Sequence, residues 1–148
     1  MPFQSIHSDL SNILVSHGMD NSNQGWDCFI TMKKWMENRN AGKMFSQYFH
    51  DYGYASIAIY GAGDIGRLLY EELRDSSIDV KYWVDRNGEG LAELDGVKVI
   101  TLPEINQADK VDALVVTPLG NYEEICRDLV KICPELPTIS LREAVYEF

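Results

Sequence analysis

The chain is short of cysteine, histidine and basic residues, and each shortage closes off a class of function. Cys28, Cys126 and Cys133 are its three cysteines. They form no C-x-x-C pair, and an odd number makes a poor disulfide framework. Cys126 and Cys133 stand seven positions apart on an expected helix, where they read as small buried apolar groups. His7, His17 and His50 are scattered without ligand spacing to cysteines or carboxylates, so no metal site is expected. Thirteen basic against twenty-three acidic side chains leave a net charge of −10. Neither nucleic acid nor an anionic membrane surface attracts such a protein. No apolar run approaches a membrane span and no basic-then-apolar leader opens the sequence. The expected setting is a reducing cytoplasm, without membrane insertion.

What is present centres on Ile57 to Gly66, IAIYGAGDIG. Ile57-Ala58-Ile59-Tyr60 reads as a short strand buried on both faces. Gly61, Gly63 and Gly66 follow in the spacing G-x-G-x-x-G, and Arg67 to Leu73 then has helical periodicity, with Leu69, Tyr70 and Leu73 on one face. The chemistry explains the spacing. The first glycine permits the tight strand-to-helix turn, the second lets a pyrophosphate approach the backbone, and the third lets the helix pack closely on the strand. The helix N-terminus then points free N–H groups at phosphate. The next strand, Val80 to Val84, ends at Asp85, nineteen positions after Gly66. A dinucleotide fold places there the carboxylate that accepts hydrogen bonds from the adenosine ribose. Ile57 to Asp85 spans twenty-nine residues, close to the roughly 30 of one βαβ unit. The other reading of the glycines is turn and packing alone, in a domain that has lost its ligand.

At 148 residues the chain is one domain with an appendage. Residues 1–25 read as a weakly ordered terminus, with a thin apolar stripe at Ile6, Leu10, Ile13 and Leu14 and a polar run from His17 to Gly25. Residues 26–53 read as a helical extension. One helix, Trp26 to Arg39, carries Trp26, Phe29, Ile30 and Met36 on its apolar face. A second, Lys43 to Tyr52, carries Met44, Phe45, Tyr48, Phe49 and Tyr52, and Gly53 stops it. So much aromatic surface is expected to cover the sheet and also a second subunit, in a two-fold dimer.

Residues 54–148 read as a Rossmann-like nucleotide-binding domain. After the turn at Asp95-Gly96, Val97 to Ile100 is a third strand. Thr101-Leu102-Pro103-Glu104-Ile105 is a capped helical turn. Asp112 to Thr117 is a fourth strand, and Tyr122 to Cys133 its helix. Thr138 to Leu141 is a fifth strand, and Arg142 to Phe148 a final helix. This alternation predicts an α/β fold with a five-stranded parallel sheet in the order 3-2-1-4-5.

The segments IAIYGAGDIGRLLYEEL, VKYWVDRN, LDGVKVITLPEI and DALVVTP together resemble the NAD-binding Rossmann domains of bacterial surface-polysaccharide enzymes. These are the nucleotide-sugar dehydratases and epimerases and the small nucleotide-binding domains of sugar acyltransferases. The resemblance implies a site at the carboxyl ends of the first, second and fourth strands. Carried over residue by residue, it marks Gly61, Ala62, Gly63, Asp64, Ile65, Gly66, Asp85, Arg86, Thr117 and Pro118. The chain departs from that pattern in one decisive respect: no tyrosine has a lysine four positions later. The Tyr-x-x-x-Lys pair that moves a proton while NAD takes a hydride is missing, and so is a substrate-binding half.

The expected function is therefore a binding module for NAD, working with a partner enzyme of sugar-polymer synthesis and not catalytic alone. Asp85 favours NAD over NADP because a carboxylate repels a 2′-phosphate, whereas Arg86 beside it would pair with one. NADP or another nucleotide therefore stays open. One alternative is an oxidoreductase or sugar-modifying enzyme completed by a second subunit, using Asp64, Asn87, Thr117 or Asn121. Another is a domain that senses nucleotide state.

Overall fold

A computed structural model describes residues 23–86 and 92–148. The apolar stripe at Ile6, Leu10, Ile13 and Leu14, the start of the polar run at His17 and the candidate Asn87 lie outside the described residues. Helix α1 (Asn23–Asn40) therefore takes in three residues expected to belong to the polar linker. That first turn has no apolar periodicity to announce it.

Helix α2 (Phe45–Asp51) follows, then β1 (Ser56–Tyr60), α3 (Asp64–Leu73) and β2 (Asp79–Val84). The second half runs β3 (Glu93–Leu94), β4 (Val97–Ile100), a 3₁₀ turn (Leu102–Gln107), β5 (Ala113–Val116), α4 (Tyr122–Ile132), β6 (Thr138–Ser140) and α5 (Leu141–Ala144). The strands form one sheet in the order β3-β4-β2-β1-β5-β6. β1 pairs in parallel with β2 and with β5, β2 with β4, and β5 with β6. The edge strand β3 runs antiparallel to β4, with Leu94 opposite Val97.

The sheet is thus six-stranded and mixed, not the five-stranded parallel sheet expected. The cause lies in the Asp95-Gly96 turn, where φ is +54° and +78°. Two successive residues with positive φ make the tight turn whose twist suits an antiparallel hairpin. The indole N–H of Trp83 then donates to the Leu94 carbonyl at 3.1 Å and holds the added edge down.

The two faces of the sheet carry separate cores. One gathers Ile57, Ile59, Trp83 and Val115 from the strands with Leu69 and Leu73 of α3. Trp35, Phe45, Tyr48 and Phe49 of the N-terminal extension belong to the same cluster, as do Leu141, Ala144 and Val145. The extension therefore completes the domain's own core. The opposite face packs Ala58, Tyr60, Tyr82, Val84, Leu114 and Val116 under Ile105 of the 3₁₀ turn and Ile125 and Leu129 of α4.

Two expectations about the helices need correction. Helix α1 seats itself through Thr31, Trp35 and Asn38, all buried, while Met36 is 66% exposed. Thr31 Oγ1 donates to the Asp27 carbonyl at 2.7 Å, and Asn38 Nδ2 donates to the Val145 carbonyl at 2.7 Å. Both polar groups are satisfied where they sit, so neither resists burial. Of the apolar surface expected to cover the sheet and a second subunit, Phe45, Tyr48 and Phe49 are buried within the chain, whereas Met36 and Tyr52 stay exposed. The final helix is also shorter than the expected Arg142–Phe148, ending at Ala144. Beyond it the chain turns inward and sets the Phe148 ring 4.8 Å from that of Phe45.

Helix α3 anchors the extension through one carboxylate. Glu72, whose side chain is 1% exposed, accepts from Trp35 Nε1 at 2.9 Å and from the Phe45 N–H at 2.8 Å. Arg39 Nε lies 3.4 Å away and balances the charge. Hydrogen bonds to a charged acceptor are worth about 1.5–3 kcal/mol each when buried.

Candidate functional site

The glycine loop lies at the carboxyl end of β1, between β2 and β5. In an open α/β sheet this end, where neighbouring crossovers diverge, is where ligands bind. The loop's three glycines answer to different demands. Gly61 has φ +100°, and a Cβ there would meet Thr117 Oγ1 at 2.6 Å and Pro118 Cδ at 2.9 Å. A Cβ on Gly66 would stand 2.0 Å from the Gly61 carbonyl oxygen. Both positions are fixed by the fold.

Gly63 is different. Its φ of −91° and ψ of −165° suit any residue, and among the described residues a Cβ built on it meets nothing within 4 Å. It is the N-cap of α3, and no side chain caps that helix. The backbone at Gly63 is therefore bare on the side that the loop leaves open. Asp64, in the first turn of α3, is exposed, while Ile65 is half-buried and packs against the core.

Asp85, at the end of β2, reaches the loop. Its Oδ2 accepts from the Ala62 N–H at 2.9 Å, so the carboxylate is already fastened to the glycine loop. Thr117, buried at the end of β5, donates its hydroxyl to the Tyr60 carbonyl at 2.7 Å and lies 3.3 Å from that of Gly61. It holds the loop against the neighbouring strand and has no proton to lend to catalysis.

Of the ten candidates, Gly61, Ala62, Gly66, Asp85, Thr117 and Pro118 make one contiguous cluster around the loop. Arg86 departs from it. Its guanidinium is drawn to the Tyr60 hydroxyl and to Glu124, whose Oε1 is 3.8 Å from Nη2. Tyr60 first and Glu124 after it raise the arginine's pKa above its ordinary value. Arg86 therefore leans over the face that carries α4, and is engaged there instead of waiting beside Asp85 for a 2′-phosphate.

A polar cleft of about 430 Å³ adjoins this arrangement at the carboxyl ends of β5 and β6. Asn121, Glu124, Arg127, Ser140 and Arg142 line it. Most of these residues escape sequence reasoning, since they share no motif. The signal was the loop Pro118-Leu119-Gly120, which leaves a buried strand on the binding edge of the sheet. Among the described residues, no group of three or more His, Cys, Asp or Glu side chains is placed to hold a metal. No helix among them is long and apolar enough to cross a membrane.

Residues 53–136, more than half of the 148, match the family described as C2185-like, N-terminal. The chain belongs to that family. The C2185-like span takes in the glycine loop, Asp85, Arg86, Thr117 and Pro118. It leaves α1, α2, β6 and α5 outside. No curated protein matches the chain.

Proposed function

We propose that the chain is a nucleotide-binding module, with NAD as its ligand, that serves an enzyme of nucleotide-sugar or surface-polysaccharide metabolism. Gly63 carries this reading. Packing demands the other two glycines, but nothing in the fold demands a missing side chain at Gly63. A pyrophosphate does, because it must come against the backbone at the start of α3. The bare N-cap supplies N–H groups and the positive end of the helix dipole, which offsets the acidic surface locally. Asp85 supplies acceptor oxygens for the ribose hydroxyls, and with Arg86 held by Tyr60 and Glu124 the balance favours NAD over NADP.

The module binds and presents without catalysing. Thr117 is committed to backbone carbonyls, and no tyrosine-lysine pair exists to move a proton. NAD held here would offer its hydride-accepting ring to a partner that brings the sugar and the base.

Calorimetry with NAD and NADP on the wild type and Gly63→Val tests the proposal. Valine can adopt this φ and ψ, and among the described residues a Cβ there meets nothing within 4 Å, so the variant should melt within a few degrees of the wild type. It should bind NAD at least about tenfold more weakly, because the side chain fills the space a pyrophosphate needs. A wild type that binds neither dinucleotide, or a Gly63→Val that binds NAD equally well, would overturn the reading. Tighter NADP binding would reverse the choice of cofactor.

A further inference from the structure

The opposite end of the sheet holds a second cavity, which the nucleotide site does not involve. It measures about 450 Å³ and opens between the Asn106–Val111 connection and the Cys133–Pro137 loop, at the amino ends of β5 and β6. Its walls are apolar, formed by Ile105, Ala108, Val111, Leu136 and Pro137. Asn106 Nδ2 donates to the Ile132 carbonyl at 2.8 Å and ties the two walls together. Tyr82, which is 3% exposed, reaches the cavity from β2.

The Tyr82 hydroxyl has no hydrogen-bond partner among the described residues. No fully enclosed side-chain polar atom among those residues is left unpartnered. The hydroxyl oxygen must therefore be the part of Tyr82 that keeps access to open space, and that space is the cavity the residue lines. A phenol that opens its hydroxyl into a mostly apolar cavity is a donor placed for whatever enters it.

We propose that this cavity binds a small, neutral, largely apolar molecule carrying an acceptor oxygen, such as an aryl or cyclic ketone, with the Tyr82 hydroxyl as its donor. Desolvation, then Cys133 and Asp109, push the Tyr82 pKa up to about 12, so the phenol keeps its proton at any physiological pH. The rim sets Asp109 and Glu135 against the single cation Lys110, which disfavours an anion. The apolar walls supply most of the binding and the phenol fixes orientation, the usual division of labour in small-molecule pockets.

Amide-resolved NMR titration of the full chain with acetophenone, toluene and benzoate, in the absence of nucleotide, tests this. Acetophenone should shift the amides of Tyr82, Ala108, Val111 and Leu136, and should bind about five- to tenfold more tightly than toluene. Benzoate should bind more weakly than acetophenone. Tyr82→Phe should bring acetophenone down to the level of toluene without lowering the melting temperature, since the hydroxyl it removes makes no bond among the described residues. Ala108→Phe, checked for native amide dispersion, should exclude all three probes. The proposal falls if no probe shifts these amides, or if benzoate binds as well as acetophenone. It falls equally if Tyr82→Phe leaves the acetophenone-to-toluene ratio unchanged. The glycine-loop amides report separately, so this result and the outcome at the nucleotide site are independent.

Discussion

The two faces of the sheet are closed in different ways. On one, α3 is joined by α1, α2 and the C-terminal residues, and Phe45 sits in ring contact with Trp35, Tyr48, Phe49 and Phe148. On the other, α4 and one 3₁₀ turn provide the cover. Half-buried residues such as Leu136 finish the job there, and the Tyr82 cavity remains. The heavily covered face also carries a buried carboxylate that joins extension to domain, Glu72. The C2185-like match nevertheless excludes α1 and α2. What most firmly closes the core in this chain is therefore contributed from outside the matched span. The lightly covered face is where the cavity beside Tyr82 opens.

The sharpest way to break this contrast is to truncate one residue on each face. Phe45→Ala should cost about 3–5 kcal/mol, as a large ring lost from the centre of a packed cluster leaves a cavity. Leu136→Ala should cost only about 1 kcal/mol, because its side chain is only partly buried to begin with. Chemical denaturation of both variants measures the difference. Similar losses would mean that the two faces contribute alike and that the extension is an ornament on the domain.

A smaller effect isolates the joint itself. Glu72→Gln keeps the shape but replaces one acceptor oxygen by an NH₂ donor. That donor would face either Trp35 Nε1 or the Phe45 N–H, leaving a buried donor without a partner. A loss of about 2 kcal/mol is expected. The indole should also change its fluorescence, since Trp35 Nε1 bonds directly to this carboxylate. A Glu72→Gln protein as stable as the wild type would show that packing alone holds the extension.

The glycine loop, β1, β2 and the helix after β5 were legible because each has a short-range cause: a buried apolar run, a glycine spacing, a helical period. The Thr101 turn was legible too, and Glu104 accepts there from the Thr101 N–H at 3.2 Å and hydroxyl at 2.6 Å. Strand β3 was not, since two residues show no alternation, although the turn that creates it was visible at Asp95-Gly96. The packed face of α1 was missed because hydropathy counts Thr31 and Asn38 as surface residues. Their hydrogen bonds to Asp27 and Val145, which make burial cheap, depend on the folded geometry. The candidate site divides in the same way. The loop and Asp85 could be named from spacing, but the fastening of Asp85 to Ala62 and of Arg86 to Glu124 requires knowing where three strand ends meet. The Tyr82 hydroxyl, without a partner among the described residues, left no mark in the sequence at all.

The smallest predicted effect concerns acid, and it probes the amino ends of the strands, where β1 and β5 enter the sheet. Asp112 Oδ2 accepts from the Ala55 N–H at 2.7 Å and the Ser56 N–H at 3.1 Å. These two amides, Ala55 first, hold its pKa below the ordinary carboxylate value. A folded-state pKa below the unfolded one means that the contribution is fully present above the unfolded value, about 3.9. It is lost as pH falls through the lower, folded value. Wild-type stability should thus be insensitive to this group from neutrality down to about pH 5, then decline below about pH 4. Glu104, lowered mainly by the Thr101 hydroxyl, declines in the same direction, so a single melting curve against pH cannot assign the loss. Asp112→Asn separates them. The variant should melt below the wild type at neutral pH, and the gap should narrow as pH drops beneath about 4, where the wild-type carboxylate also becomes neutral. The side chain is exposed, so added salt should shrink the gap at neutral pH as well. A gap that stays constant down to pH 2 would show that Asp112 acts through geometry that asparagine cannot copy, and that its charge contributes nothing.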